Sequence, residues 1–206
     1  MNKELGKELK KQFEMMMKTS FPQFEEQKYR GFGGSRFYRL DTGLGIFHHI
    51  ALYPSIKDNT FTVEIASTTK EQCLFNSGDS AVFPFDYEDI AAYIHQNNNE
   101  FMSRIGSVCG EKIDLWYNIS AQKRFDNPID DLESFERETF LSLLNIGVPP
   151  KVAINDNDKE MIRRAIEDVE MRINKHALPL FSKVENIILL GMSSEEQCKH
   201  ATTLIP

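Results

Sequence analysis

The sequence predicts an α+β fold: an antiparallel sheet of about four to five strands, flanked by an N-terminal helix and several C-terminal helices. Three observations carry that expectation. The stretch Gly31 to Ala66 reads as three consecutive strands separated by two turns. Before it, apolar residues recur at helical spacing, and beyond Gly147-Val148-Pro149-Pro150 that spacing returns. Because the C-terminal helices are amphipathic, they must bury a face. We therefore read 1–206 as one α+β domain, with a sheet region over about 30–120 and a helical region over about 130–206 packed on it.

Taking the elements in order, Leu5, Leu9, Phe13 and Met16 stand at i, i+4, i+8 and i+11, which places them on one stripe of a helix. Met15, Met16 and Met17 at such spacing fill core gaps. Phe21-Pro22 ends this helix, because the residue before a proline is pushed out of the helical region.

In the central stretch the period is two. Ile46, His48, Ile50 and Leu52 alternate with Phe47, His49, Ala51 and Tyr53, and Phe61, Val63 and Ile65 alternate with Thr62, Glu64 and Ala66. Asp41-Thr42-Gly43 is a tight-turn signal and Pro54 to Asn59 a longer connection, so adjacent antiparallel strands are expected. Pro84 demotes any strand over Ala81 to Phe85 to an edge or a bulge.

Asp86 would cap a helix carrying Ile90, Tyr93, Ile94, Phe101 and Ile105, with a weak point at Asn97-Asn98-Asn99. Lys112 to Ile119 alternates again and predicts a fourth main strand, with Leu115, Tyr117 and Ile119 on one side and Asp114, Trp116 and Asn118 on the other. Asn127-Pro128 precedes a helix over about Asp130 to Leu144. Asp156 or Asp158 caps a periodic helix through Ile173, and Leu178-Pro179 ends or kinks it. Ser182 to Leu190 is a further helix closed by Gly191, and Ser193 with Glu196 starts a last short one.

Composition bounds the function. The hydrophobic fraction is 41% and the charged fraction 27%, as in a folded globular protein. A formal net charge of −7, with no basic run, disfavours nucleic acid and anionic membrane surfaces. No stretch has the length and apolarity of a membrane span or the pattern of a signal peptide, so we expect a cytoplasmic protein. Cys73, Cys109 and Cys198 lack the paired spacing of a zinc site or a disulfide scaffold and read as buried free thiols.

Gly31-Phe32-Gly33-Gly34 lacks the GK[ST] ending of a phosphate loop and precedes a strand, so it reads as a turn. His48 and His49 are adjacent on a strand and point to opposite faces, which prevents them from converging on one metal. Arg36 and Arg39 likewise face opposite sides. Asn155 to Asp158 resembles the start of a calcium loop, but Met161 stands where the loop needs glycine. There is no Gly-x-Ser-x-Gly elbow, and we assign no catalytic residue, no cofactor and no metal.

The most informative residue is Trp116, the only tryptophan, which shares a strand face with Asp114 and Asn118. If that face lies beside the one carrying His49 and Tyr53, then His49, Tyr53, Asp114 and Trp116 form an amphipathic surface suited to binding a partner; otherwise a helix covers it. The N-terminal helix, GFGGSRFYRL, IFHHIALYPS, FTVEIA, and a later Arg104-Ile105-Gly106 with Asp114 to Trp116 resemble the domain-of-unknown-function 4304 family over about Leu5 to Leu190. The resemblance implies a bacterial α+β protein and brings no activity and no catalytic residues with it.

The expected function is a non-catalytic protein-binding module, for instance an immunity-type inhibitor whose acidic surface meets a protein partner with a basic surface. An enzyme with a dispersed polar site on the sheet is the alternative, and would show a pocket with convergent titratable groups of perturbed pKa. A structural or oligomer-forming protein is a third.

Overall fold

The computed structural model describes residues 3–28, 35–55, 58–70, 89–111, 115–120 and 154–191. Helix α1 spans Lys3–Ser20 and buries Leu5, Leu9, Phe13, Met16 and Met17. It stops ahead of Phe21-Pro22, as the sequence predicts. Strands β1 (Glu25–Gln27), β2 (Arg36–Asp41), β3 (Phe47–Pro54) and β4 (Thr60–Thr68) follow in an antiparallel meander. The β2–β3 turn is closed by Thr42 N–H donating to the Ile46 carbonyl at 3.1 Å, and by Gly43 N–H donating to Asp41 Oδ1 at 2.8 Å. Gly43 and Gly45 have φ of 74° and 73°, which glycine alone adopts without a steric penalty.

Helix α2 spans Asp89–Gln96. The expectation that it runs on to Ile105 is corrected. Asn98 and Asn99 adopt φ of 55° and 60°, the left-handed conformation that stops a helix, and asparagine tolerates it best after glycine. Phe101 then opens strand β5 (Phe101–Arg104), and Ile105 opens the single turn α3 (Ile105–Val108). The fourth main strand is thus β5. The segment read as that strand contributes only β6 (Tyr117–Asn118), and 112–114 lie outside the described residues. Both β5 and β6 line the same edge of β4, β5 against Glu64–Ser67 and β6 against Thr60–Phe61. Among the described residues the result is a six-stranded sheet in the order β1-β2-β3-β4-β5, with β6 beside β4.

Helix α4 spans Asp156–Arg172. Its cap is Asn155 rather than either aspartate: Asp158 N–H donates to Asn155 Oδ1 at 2.8 Å, and the Asp158 carboxylate accepts from Asn155 N–H in return. A π turn over Ile173–Ala177 joins α4 to helix α5 (Leu178–Gly191). Pro179 therefore neither ends the helix nor waits for a new one at Ser182. In a regular helix its ring would strike the Lys175 carbonyl, and the wider π turn holding Lys175 relieves that clash.

One apolar cluster unites these parts, drawing Phe13 and Met17 from α1, Ile50 and Ile65 from the sheet, Val169 from α4 and Val184 from α5. The ends of α1 and α4 are tied where Ser20 Oγ donates to Glu170 Oε1 at 2.6 Å. The arrangement is α+β, with the helices on the sheet face that carries Ile46, His48, Ile50 and Leu52. Every residue of β4 from Phe61 to Thr68 is buried, so both faces of that strand are covered. Cys73, Cys198, the Gly31–Gly34 turn, Ala81–Phe85, the Asp86 cap, the helix over 130–144, the 147–150 breaker and the Ser193 capping box lie outside the described residues.

Candidate functional site

The period-two reading of β3 sets its two histidines on opposite faces, and the strand register shows it: His48 stands opposite Ser67, and His49 opposite Ala66 and Arg39. Among the described residues no group of three or more His, Cys, Asp and Glu side chains could hold a metal ion.

On the face away from the helices, Phe37, Ala51 and Ala66 form a small apolar cluster, with Tyr53 and Met102 packed against it. The Phe37 and Tyr53 rings meet edge to face at 5.8 Å. Charged groups are buried in the same face. Glu64, 1% exposed, stands opposite Ala51 between His49 and Tyr53 in register, and its Oε1 accepts from Arg104 Nε at 3.4 Å. The Arg104 guanidinium in turn lies 5.4 Å from the centre of the Trp116 ring.

Of the four residues singled out from the sequence, His49, Tyr53 and Trp116 are thus brought to one face, with Glu64 and Arg104 as the link. Asp114 lies outside the described residues. His49 is only 1% exposed, so it supports this face from beneath and is corrected as a contact residue. Burial, with Arg39 and His48 nearby, lowers its pKa from 6.5 to about 3. Trp116 is 40% exposed. Arg36 and Arg39 part as expected: Arg36 pairs with Glu26 at 2.8 Å, and Arg39 lies over the Phe47 ring at 5.1 Å.

On the helix face the structure shows a second polar constellation that the sequence reading missed. Ser67 Oγ is 2.8 Å from His48 Nδ1, and His48 Nε2 is 3.2 Å from Glu185 Oε2 of α5. A carboxylate can only accept, so Nε2–H donates to Glu185 and Nδ1 accepts the Ser67 hydroxyl proton. The Phe181 ring stacks on the imidazole at 4.6 Å and 16°. Burial pulls the His48 pKa below 6.5, and the Glu185 hydrogen bond opposes part of that shift. A cleft of about 420 Å³ opens here, lined by His48, Glu185, Asp41 and Phe181 among others. Ser67 is fully buried and does not line the cleft, so the relay orients the imidazole and presents no nucleophile. The available signal was a histidine within the apolar series Ile46, Ile50, Leu52, which demands polar partners; Glu185, 137 positions away, could not be named from spacing.

Two further polar groups are accounted for by packing. The acids resembling a calcium loop form the α4 cap, and Asp158 Oδ1 also accepts from Ser120 Oγ at 2.7 Å. Asp168 Oδ2 accepts from Tyr117 at 2.7 Å and from Arg172 at 2.6 Å, and Arg172 reaches Glu111 at 2.6 Å, bracing β6 and the α3 turn against α4. Cys109 beside this network is half-buried, and burial pushes its thiol pKa up.

No family model, no curated protein and no solved structure matches the chain. Among the described residues, no helix is long and apolar enough to cross a membrane.

Proposed function

We propose that this protein is a non-catalytic protein-binding module of the cytoplasm, of the immunity-inhibitor type, and that its contact surface centres on Trp116. The observation that carries the reading is the state of that indole: 40% exposed, yet positioned by Arg104, which is itself paired with the buried Glu64. A large aromatic side chain has few rotatable bonds to order on binding, a property that makes tryptophan a recurrent hot spot. The net charge of −7 favours a partner with a basic surface, whose approach it would accelerate. Kinship with the domain-of-unknown-function 4304 family, and with it a bacterial origin, rests on the residue runs already given.

Affinity capture from the host with the wild-type chain and with Trp116→Ala tests this reading. A stoichiometric basic protein retained by the wild type, and lost by a variant that still melts cooperatively, is the expected result. Equal retention by both chains, or loss of cooperative melting in the variant, would overturn it. The enzyme alternative draws its support from the His48–Glu185 cleft, where titratable groups converge beside an open volume.

A further inference from the structure

We propose that the cleft between the β2–β3 end of the sheet and α5 binds a small organic cation, a primary ammonium or amidinium group carried on an apolar body about the size of a phenyl ring. Among the described residues that line the cleft, the charged side chains are both acids, Asp41 at the end of β2 and Glu185 on α5. Thr42 and Ser182 add hydroxyls, while Leu40, Leu178 and Phe181 supply apolar wall. A volume of about 420 Å³ falls within the range of small-molecule sites.

The acids are already oriented. Asp41 Oδ1 accepts from Gly43 N–H at 2.8 Å, and Glu185 Oε2 accepts from His48 at 3.2 Å. Each carboxylate thus uses one oxygen to fix its own position and keeps a second oxygen to accept from a ligand, an arrangement that lowers the ordering cost of binding. His48 adds no positive charge above pH 6.5, because burial holds the ring neutral. An anion would face two carboxylates, with no cation among the described lining residues. A neutral apolar ligand would strip water from those carboxylates without replacing its hydrogen bonds. A cation on an apolar body satisfies both the acids and the wall.

The discriminating experiment titrates the full chain with three matched probes, phenethylamine, 2-phenylethanol and phenylacetate, by calorimetry and by ligand-observed NMR at pH 7.5. The amine is expected to saturate in the millimolar range or below, the alcohol to bind more weakly and the carboxylate not at all. Glu185→Gln, which keeps a hydrogen-bond acceptor for His48, should weaken the amine roughly tenfold, the size of one charge-assisted hydrogen bond. Asp41→Asn, at an exposed position, gives a second reading should Glu185→Gln lose cooperative melting. Failure of the amine to saturate, phenylacetate binding as tightly as the amine, or unchanged amine affinity in the variants that fold would overturn the proposal. It is independent of the partner surface, so Trp116→Ala should bind the amine as the wild type does.

Discussion

His48 and His49 are neighbours in sequence, and the two sheet faces they occupy solve the burial of a polar ring in different ways. His48 is enclosed by a helix: α5 brings Phe181 to stack on it and Glu185 to accept its proton, while β4 supplies the Ser67 hydroxyl. His49 lies on a face with a much smaller apolar cluster, where its register neighbour is Arg39 and where Glu64 and Arg104 form a buried ion pair. The helix face gains stability from apolar area and meets its few polar groups one by one. The other face buries charge, and a buried pair stabilises only while both partners are present. Equal burial therefore does not mean equal tolerance of change.

The largest expected effect tests that difference directly. Arg104→Ala removes the cation facing the buried Glu64 carboxylate, and urea unfolding should show a loss of about 3–5 kcal/mol. The double replacement Arg104→Met with Glu64→Leu should recover most of it. If the single variant costs no more than a surface substitution, the two faces do not differ as described.

Acid is the next lever. The folded-state pKa of His49 is about 3, well below the ordinary 6.5, so the unfolded chain takes up protons first as the pH falls. Stability is then fully present above about pH 6.5 and declines towards pH 3, with a slope approaching about 1.4 kcal/mol per pH unit from this one ring. That amounts to about 2–3 kcal/mol by pH 4.5. His48, shifted in the same direction, adds to the decline. Denaturant melts of His49→Gln between pH 7 and pH 4.5 should show a shallower slope than wild type; an unchanged slope would place the acid sensitivity elsewhere.

The smallest effect belongs to the helix face. Ser67→Ala deletes the hydroxyl that donates to His48 Nδ1 while leaving the Glu185 contact, and should cost about 1–2 kcal/mol. A cost equal to that of Arg104→Ala would show the His48 relay to be as interdependent as the buried ion pair.

The sequence carried the parts whose signal is local. The stripe of α1, the alternation of β2 to β4 and the periodicity of α4 all survive in the structure, because each follows from burying one face of a regular element. Phe101 and Ile105 misled because helical spacing can be extended by arithmetic across Asn97 to Asn99, whereas the backbone cannot follow through two left-handed residues. The contact that holds Trp116, an arginine on β5 paired with a glutamate on β4, depends on a pairing that no single strand encodes. The cleft escaped for the same reason, since its acids come from the end of β2 and from a helix far along the chain.

The π turn at Ile173–Ala177 makes that cleft a question of helical phase. Each residue of an α-helix advances the side chains by about 100°, so the one extra residue in a π turn rotates everything after it relative to α4. Phe181 and Glu185 meet His48 in the present phase. A chain one residue shorter in this turn would set the Pro179 ring against the carbonyl four residues before it, and would rotate Phe181 and Glu185 away from His48 even with every side chain of the cleft retained.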